Sequence, residues 1–369
     1  MQNILVDCYV FEGEFQGTRT FIKETYKELF LIELSKEKID RNAYYLISNN
    51  ISILKDEFGE FDFVFFIQSN YKNHKLRLLF EFNYFIIKYK IDYAHFQYVV
   101  PPLKLCKYIV TIHDILFCKN KIYFTKWYRF KNYFSFYFSY WLSDIITTVS
   151  NDSKNDIIKY FPHKKDILIT PNGIKNEFFN YNVNYNKNVF LIDHNLNNYI
   201  LYVSRFEPRK NHFNLLKAYI LGQHYTKFDL VLIGSKAYNC FDFDNFYNTI
   251  DITIQNKIHI IDYGIDNKTL KLFYSFCSIF VYPSFLEGFG IPPLEASAFN
   301  KPVICSNTTA MSDYTFYGNF HIYPSVENIN SSLNNILDSN INTSNIKEYI
   351  KNKYTWRNTA SIFSNLFSN

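Results

Sequence analysis

Glycine is scarce in this chain: it has ten among 369 residues, where average usage of about 7% would supply roughly 26. A glycine-poor chain keeps the residue where φ must be positive or where backbones must approach closely. Most of these glycines fall at the ends of strand-like runs. No run of about 18 or more uncharged apolar residues occurs, so no membrane-spanning helix is expected. The first residues, Met1-Gln-Asn-Ile-Leu-Val-Asp, lack a basic segment followed by an apolar one and read as a strand, so no secretory signal is expected. The six cysteines (Cys8, Cys106, Cys118, Cys240, Cys277, Cys305) form no C-x-x-C pair. They read as reduced, mostly buried thiols of a cytoplasmic protein, not as disulfides or a zinc site. No G-x-G-x-x-G follows a strand-like run, which argues against a dinucleotide-dependent oxidoreductase. Asp242-Phe-Asp244 has metal-motif spacing but no strand context, so it reads as surface and no metal site is expected. The net charge of +5 suits anionic ligands or loose membrane association and does not call for nucleic acid.

Apolar runs are plentiful and short. They fall at 3–10, 44–48, 63–68, 94–99, 107–112, 144–149 and 166–170, with helix-like stretches such as 19–34 and 126–142 between them. The alternation predicts a parallel, doubly wound α/β sheet whose strands are apolar on both faces. A polar, asparagine-rich stretch at 175–198 reads as a linker. The alternation then restarts at 199–203, 230–233, 257–261, 279–282, 302–305 and 320–323. Length and pattern predict two domains, 1–174 and 199–343, with 344–369 helical and crossing back to the first.

Two constellations carry chemistry. Tyr282-Pro-Ser-Phe-Leu-Glu287-Gly-Phe-Gly-Ile-Pro-Pro-Leu-Glu295 sets two glutamates eight residues apart between a strand and a helix start. Free backbone N–H groups and the helix dipole favour anions there, and the carboxylates suit sugar and ribose hydroxyls. Upstream, Tyr202-Val-Ser-Arg205-Phe-Glu-Pro-Arg209-Lys210-Asn211 runs a strand into a turn with three cations, and Asn211 is placed to cap a helix over 213–219. Cations at a strand's carboxyl end suit a diphosphate, at about 1.5–3 kcal/mol per charge-assisted bond; the bland alternative is a solvated basic turn.

The cationic turn, the E-x7-E stretch and the following Ala-Phe-Asn-Lys-Pro-Val resemble the retaining glycosyltransferases of family 4, of GT-B fold, along essentially the whole chain and most closely over 199–315. The resemblance implies two Rossmann-like doubly wound domains facing a central cleft. Arg205 and Lys210 would bind the donor diphosphate and stabilise the leaving nucleotide. Glu295 would hold ribose hydroxyls, Glu287 with the backbone of Gly288, Phe289 and Gly290 would hold the transferred sugar, and Ile291 would belong to the same donor-binding stretch. Ser204, Gly234, Tyr263 and Gly264 would line the rest of the donor pocket. In the first half, Gly17 of Gly13-Glu-Phe-Gln-Gly17-Thr18-Arg19 matches the family's glycine-rich loop, whose alternative is a simple strand–helix turn. His113 of Thr111-Ile-His113-Asp114 matches the mannosyltransferase-like branch and would contact the transferred sugar; the alternative is a structural histidine.

Three residues depart from the family pattern: Ser204 and Asn300 stand where glycine is common, and Asn319 where aspartate is usual. The implied reaction breaks the anomeric C–O bond while cations meet the charge growing on the diphosphate, with no protein nucleophile, no metal and no cofactor beyond the nucleotide sugar. GDP-mannose is the leading donor, resting on His113-Asp114 and the Glu-Pro-Arg-Lys-Asn turn. The expected acceptor is a glycan or lipid-linked glycan of surface polysaccharide or lipopolysaccharide synthesis, reached from the cytoplasm at the inner membrane face. The rivals are another GT-B activity, such as epimerisation or phosphorolysis, and a non-catalytic nucleotide-sugar binder. The stretch 119–140 is basic and aromatic enough to touch an anionic membrane, but the preferred reading is an ordinary helix with its aromatic face in the core.

Overall fold

The computed structural model describes every residue except Glu14, Phe15, His163, Lys164, Ala237, Tyr238 and Asn369. The described chain forms two compact units, residues 1–173 with 356–369, and residues 174–355.

In the first unit the strands are β1 (Asn3–Asp7), β2 (Ala43–Ser48), β3 (Val64–Gln68), β4 (Tyr93–Gln97), β5 (Lys107–Thr111), β6 (Ile145–Thr148) and β7 (Ile167–Ile169). They lie in the order β3-β2-β1-β4-β5-β6-β7, and every pairing is parallel. Ile4, Leu5, Val6, Tyr108, Ile109 and Val110 are all buried, as a sheet covered on both faces requires. The order reverses between β1 and β4, and such a switch point opens a crevice at the carboxyl ends of the strands.

In the second unit the strands are β8 (Tyr199–Val203), β9 (Asp229–Ile233), β10 (Ile258–Ile261), β11 (Ile279–Tyr282), β12 (Val303–Ser306) and β13 (His321–Ile322). They form a second parallel sheet in the order β10-β9-β8-β11-β12-β13, with the switch point between β8 and β11. The expected doubly wound fold, built twice, is the fold observed. Each predicted strand coincides with an observed one to within a few residues.

Three expectations need correction. The stretch 175–198 belongs to the second unit and carries two short helices, Asn176–Phe179 and Lys187–Asp193. Its polar composition hides Phe178, Phe179, Phe190 and Leu196, all buried; Phe190 packs on Phe273 and Phe276. The tail is two helices rather than one, Thr343–Lys353 in the second unit and Trp356–Ser368 in the first. Phe363 and Phe367 of the latter pack on Phe21, Tyr26, Tyr44 and Tyr93. The helix Lys126–Leu142 buries Phe136 and Tyr140, yet Trp127, Phe130, Phe134, Phe138 and Trp141 stay exposed, so its aromatic residues are not all core.

Candidate functional site at the switch point of the second sheet

The two motifs found in sequence meet at the carboxyl ends of β8 and β11. Residues 204–211 leave β8 and residues 283–290 leave β11, and these strands flank the switch point. Several bonds tie the two loops together. Phe285 N–H donates to Arg209 O at 2.9 Å, Arg209 Nη1 donates to Leu286 O at 2.6 Å, and the Ser284 hydroxyl donates to Arg209 O at 3.3 Å, while the Tyr202 hydroxyl of β8 holds Lys210 O at 2.6 Å within its own loop. Asn211 does not cap the next helix, His212–Leu221, with its side chain. It sits at φ +63°, and its amide donates to Pro283 O at 3.0 Å and Pro324 O at 2.9 Å. The short polar side chain tolerates this left-handed backbone while joining three segments.

Lys210 and Glu287 form a buried ion pair, with Lys210 Nζ 2.6 Å from Oε1 and 2.8 Å from Oε2. The Tyr282 hydroxyl donates to the same Oε1 at 2.7 Å, and Arg209 Nη1 lies 3.6 Å from Oε2. Burial alone would raise the Glu287 pKa; Lys210, then Arg209 and Tyr282, reverse this and hold it at about 2. Burial lowers the Lys210 pKa, with Arg209 adding to the effect and Glu287 opposing it. Two hydrogen-bond donors and a nearby guanidinium around one carboxylate keep the pair ionic at neutral pH. Glu287 N–H also donates to Thr309 Oγ1 at 3.0 Å, and Thr309 sits at φ +50°, an outlier for a β-branched residue. Arg209 Nε pairs with Glu207 at 2.6 Å, and Arg205 pairs with the same carboxylate at 3.2 Å but keeps 44% of its side chain exposed. Of the three cations, Arg205 is the most open to solvent.

Beyond Glu287 the loop turns at Gly290, φ +90°, where a Cβ would stand 3.0 Å from Met311 Cγ. Among the described residues the N–H groups of Gly288, Phe289 and Gly290 have no hydrogen-bond acceptor. Ile291 begins the helix Ile291–Ala298, and Pro292 and Pro293 follow it without N–H groups, so the helix start offers fewer donors than an ordinary one. Phe289 is buried on Tyr314 and Tyr354. Glu295, in the same helix, accepts from the Tyr274 hydroxyl at 2.9 Å, and burial pushes its carboxyl up to about 7. Gly234 follows β9 where a Cβ would stand 2.0 Å from Ser204 O, so only glycine lets the chain just past β8 and β9 approach this closely. Tyr263 and Gly264 follow β10 on the same edge of the sheet, with Tyr263 exposed and open space around Gly264. No three His, Cys, Asp or Glu side chains come together as a metal-ligand set among the described residues.

The family model for "Glycosyl transferases group 1" matches residues 187–353, and that for "Glycosyltransferase Family 4" matches 43–178. The chain belongs to the group 1, family 4 glycosyltransferases. This family 4 chain is 31% identical over 232 residues to O-antigen chain mannosyltransferase B of Escherichia coli, covering 60% of each. It is 26% identical over 221 residues to the O-antigen chain mannosyltransferase RfbU of Salmonella typhimurium, covering 59% of this chain and 57% of that one. The chain thus aligns with less than two thirds of the length of these two relatives. The structure of Anabaena Alr3699/HepE in complex with UDP-glucose shares the fold, with a TM-score of 0.71 at 14% identity over the full length of both chains.

In the first unit of this family 4 chain, His113 follows β5 and is buried. Its Nε2 donates to Gln97 Oε1 at 2.6 Å, and its ring packs edge-on to Phe21. Burial lowers its pKa to about 3, so the ring is neutral, with the proton on Nε2 and the lone pair on Nδ1. Gly17 lies in the first turn of the helix Gln16–Leu34 with open space where a Cβ would point, while Glu14 and Phe15 of its loop lie outside the described residues. Within the second unit the structure brings Arg205, Lys210, Glu287 and Gly290 to one switch point, with Ser204, Gly234, Tyr263 and Gly264 along the same edge. Sequence reasoning counted Arg209 only as one of the three cations of the basic turn and assigned no role to Tyr282, Tyr274 or Thr309. Arg209 stood in plain view inside the basic turn, whereas Tyr274 and Thr309 touch the glutamates only through the fold.

Proposed function

We propose that this chain transfers a sugar, with retention, from a nucleotide-sugar donor to a glycan or lipid-linked acceptor in surface polysaccharide or lipopolysaccharide synthesis. The observation that carries the reading is the meeting of Arg205, Arg209, Lys210 and Glu287 at one switch point, with the helix of Glu295 leading from it. Arg205 is exposed enough to meet an incoming diphosphate, and the unpaired N–H groups of Gly288, Phe289 and Gly290 add neutral donors beside it. Lys210 enters the ground state neutralised by Glu287, so its field counts most as charge grows on the departing diphosphate. The anomeric C–O bond to phosphate breaks, the acceptor oxygen bonds to the same face, and its proton passes to the departing phosphate oxygen. These cations take the place of a divalent metal, and no cofactor beyond the donor is invoked. His113, neutral with Nδ1 as an acceptor, suits a sugar hydroxyl rather than a proton-donating role. The protein works in the cytoplasm.

GDP-mannose is the favoured donor, because two curated relatives are named as O-antigen mannosyltransferases. A UDP-sugar is the second reading, favoured by the UDP-glucose complex of the HepE structure. Thermal shift with GDP, UDP, ADP, CMP and dTDP on wild type and Glu295→Ala tests both, since ligand binding raises the midpoint by mass action. GDP should stabilise wild type and, far less, the variant. A shift with UDP alone would replace the donor, and none with any nucleotide would overturn the reading.

A further inference from the structure

Two helical segments cover one face of the first sheet. The segment His74–Leu76, Arg77–Glu81 and Phe82–Lys88 buries Leu78, Phe82, Phe85 and Ile86, and the helix Lys126–Leu142 buries Phe136 and Tyr140. All six join one cluster with Leu5, Phe96 and Val110, so both segments lie on the same side of the sheet. Both also turn apolar residues to solvent. Trp127, Phe130, Phe134, Phe138 and Trp141 recur at steps of three and four, which makes one continuous stripe along the helix, 72% exposed at Trp127 and 53% at Trp141. Leu76, Leu79, Phe80, Tyr84 and Ile87 do the same on the other segment. Exposed apolar surface on this scale marks an interaction face.

The charges select the occupant. No Asp or Glu occurs from 119 to 143, and Lys121, Lys126 and Lys131 have no carboxylate partner among the described residues. Glu81, the one acid of the other segment, is buried and bonded to Ser69 and to Asn70 N–H. A second copy of the chain would set these lysines against their own images with no acid to meet them. Anionic headgroups supply the missing charge, and tryptophans and phenylalanines with lysines between them suit the headgroup boundary. A groove of about 290 Å³ beside the helix combines both characters, lined by Phe117, Phe130 and Phe134 with Lys126 and Arg129. We infer that this face docks the protein on an anionic lipid surface, whatever reaction the second unit performs.

Co-sedimentation of the full chain with phosphatidylcholine vesicles, with and without phosphatidylglycerol, tests the inference. Binding is expected only to the anionic vesicles and should weaken with salt. Lys126→Glu/Lys131→Glu should reduce vesicle affinity about tenfold or more. Phe130→Ser/Phe134→Ser/Trp141→Ser should reduce it similarly, both variants keeping the wild-type melting midpoint. Three results would each overturn it: no binding to either vesicle, binding unchanged in both variants, or a concentration-dependent dimer by light scattering that the serine variant abolishes.

Discussion

Replacing Lys210 by alanine leaves the Glu287 carboxylate buried with only Arg209 at 3.6 Å and the Tyr282 hydroxyl at 2.7 Å. In the wild type these groups together hold the Glu287 pKa at about 2, against an ordinary 4.5. At about 1.4 kcal/mol per pH unit, that difference corresponds to roughly 3 kcal/mol of native stability at neutral pH on the carboxylate's side, part of which the burial that lowers the Lys210 pKa offsets. Lys210 makes the shortest contacts and carries most of it, so Lys210→Ala should cost about 2–3 kcal/mol, near the low end of the range for breaking a buried pair. For a unit of this size the melting midpoint should fall by about 5–10 °C. The pH dependence gives a second reading. A depressed carboxyl pKa contributes stability that is present above the unfolded value and is lost as pH falls through the folded one. The wild type therefore loses this contribution between about 4.5 and 2. In Lys210→Ala the carboxyl titrates higher, so the gap between variant and wild type should close as pH falls through that window. Urea or thermal melts of wild type, Lys210→Ala, Glu287→Gln and Lys210→Met/Glu287→Gln at pH 7 and pH 3 measure both effects, and the double variant should lose far less than the two single losses added together. Additive losses, or a gap that does not narrow at pH 3, would refute the ionic pair.

In steady-state kinetics Lys210→Ala should lower kcat more than it raises the donor KM, because its charge matters most in the transition state; unchanged turnover would remove it from the chemistry. Activity should survive excess EDTA, and a complete loss restored by divalent metal would contradict the cation-only account. Gly234→Ala should destabilise the second unit by about 3 kcal/mol through the clash with Ser204 O, whereas Gly264→Ala, in open space, should change stability by less than about 0.5 kcal/mol in a denaturant melt. Glu295 titrates at about 7, so nucleotide affinity measured by calorimetry should rise with pH through neutrality as the carboxylate forms, and Glu295→Gln should flatten that dependence.

The strands were legible because short, uniformly apolar runs have few other uses, and both sheets bury them on two faces. The glutamates, the basic turn and the glycines beside them were legible as local motifs. What they do to one another was not. Lys210 and Glu287 lie 77 positions apart, and only the adjacency of β8 and β11 makes them a pair. Asn211 was read as a cap from its place before a helix, but its amide serves two distant carbonyls. The stretch 175–198 was read from average polarity, whereas a few phenylalanines decide where it belongs. In the helix Lys126–Leu142 aromatic residues occupy both faces, so periodicity could not say which stripe turns inward.

The break at Thr355 has a consequence for synthesis. The second unit enters at Ile174 and leaves at Thr355, where the two residues form a bridge and Ile174 N–H donates to Tyr354 O at 2.8 Å. In topological terms it is an insertion with its ends already fastened together, and such segments tolerate excision as independent modules. The first unit has no such freedom, because Trp356, Phe363 and Phe367 finish its core against Phe21, Tyr26 and Tyr93. A ribosome must therefore deliver the whole insert before the first-made half of the protein can close.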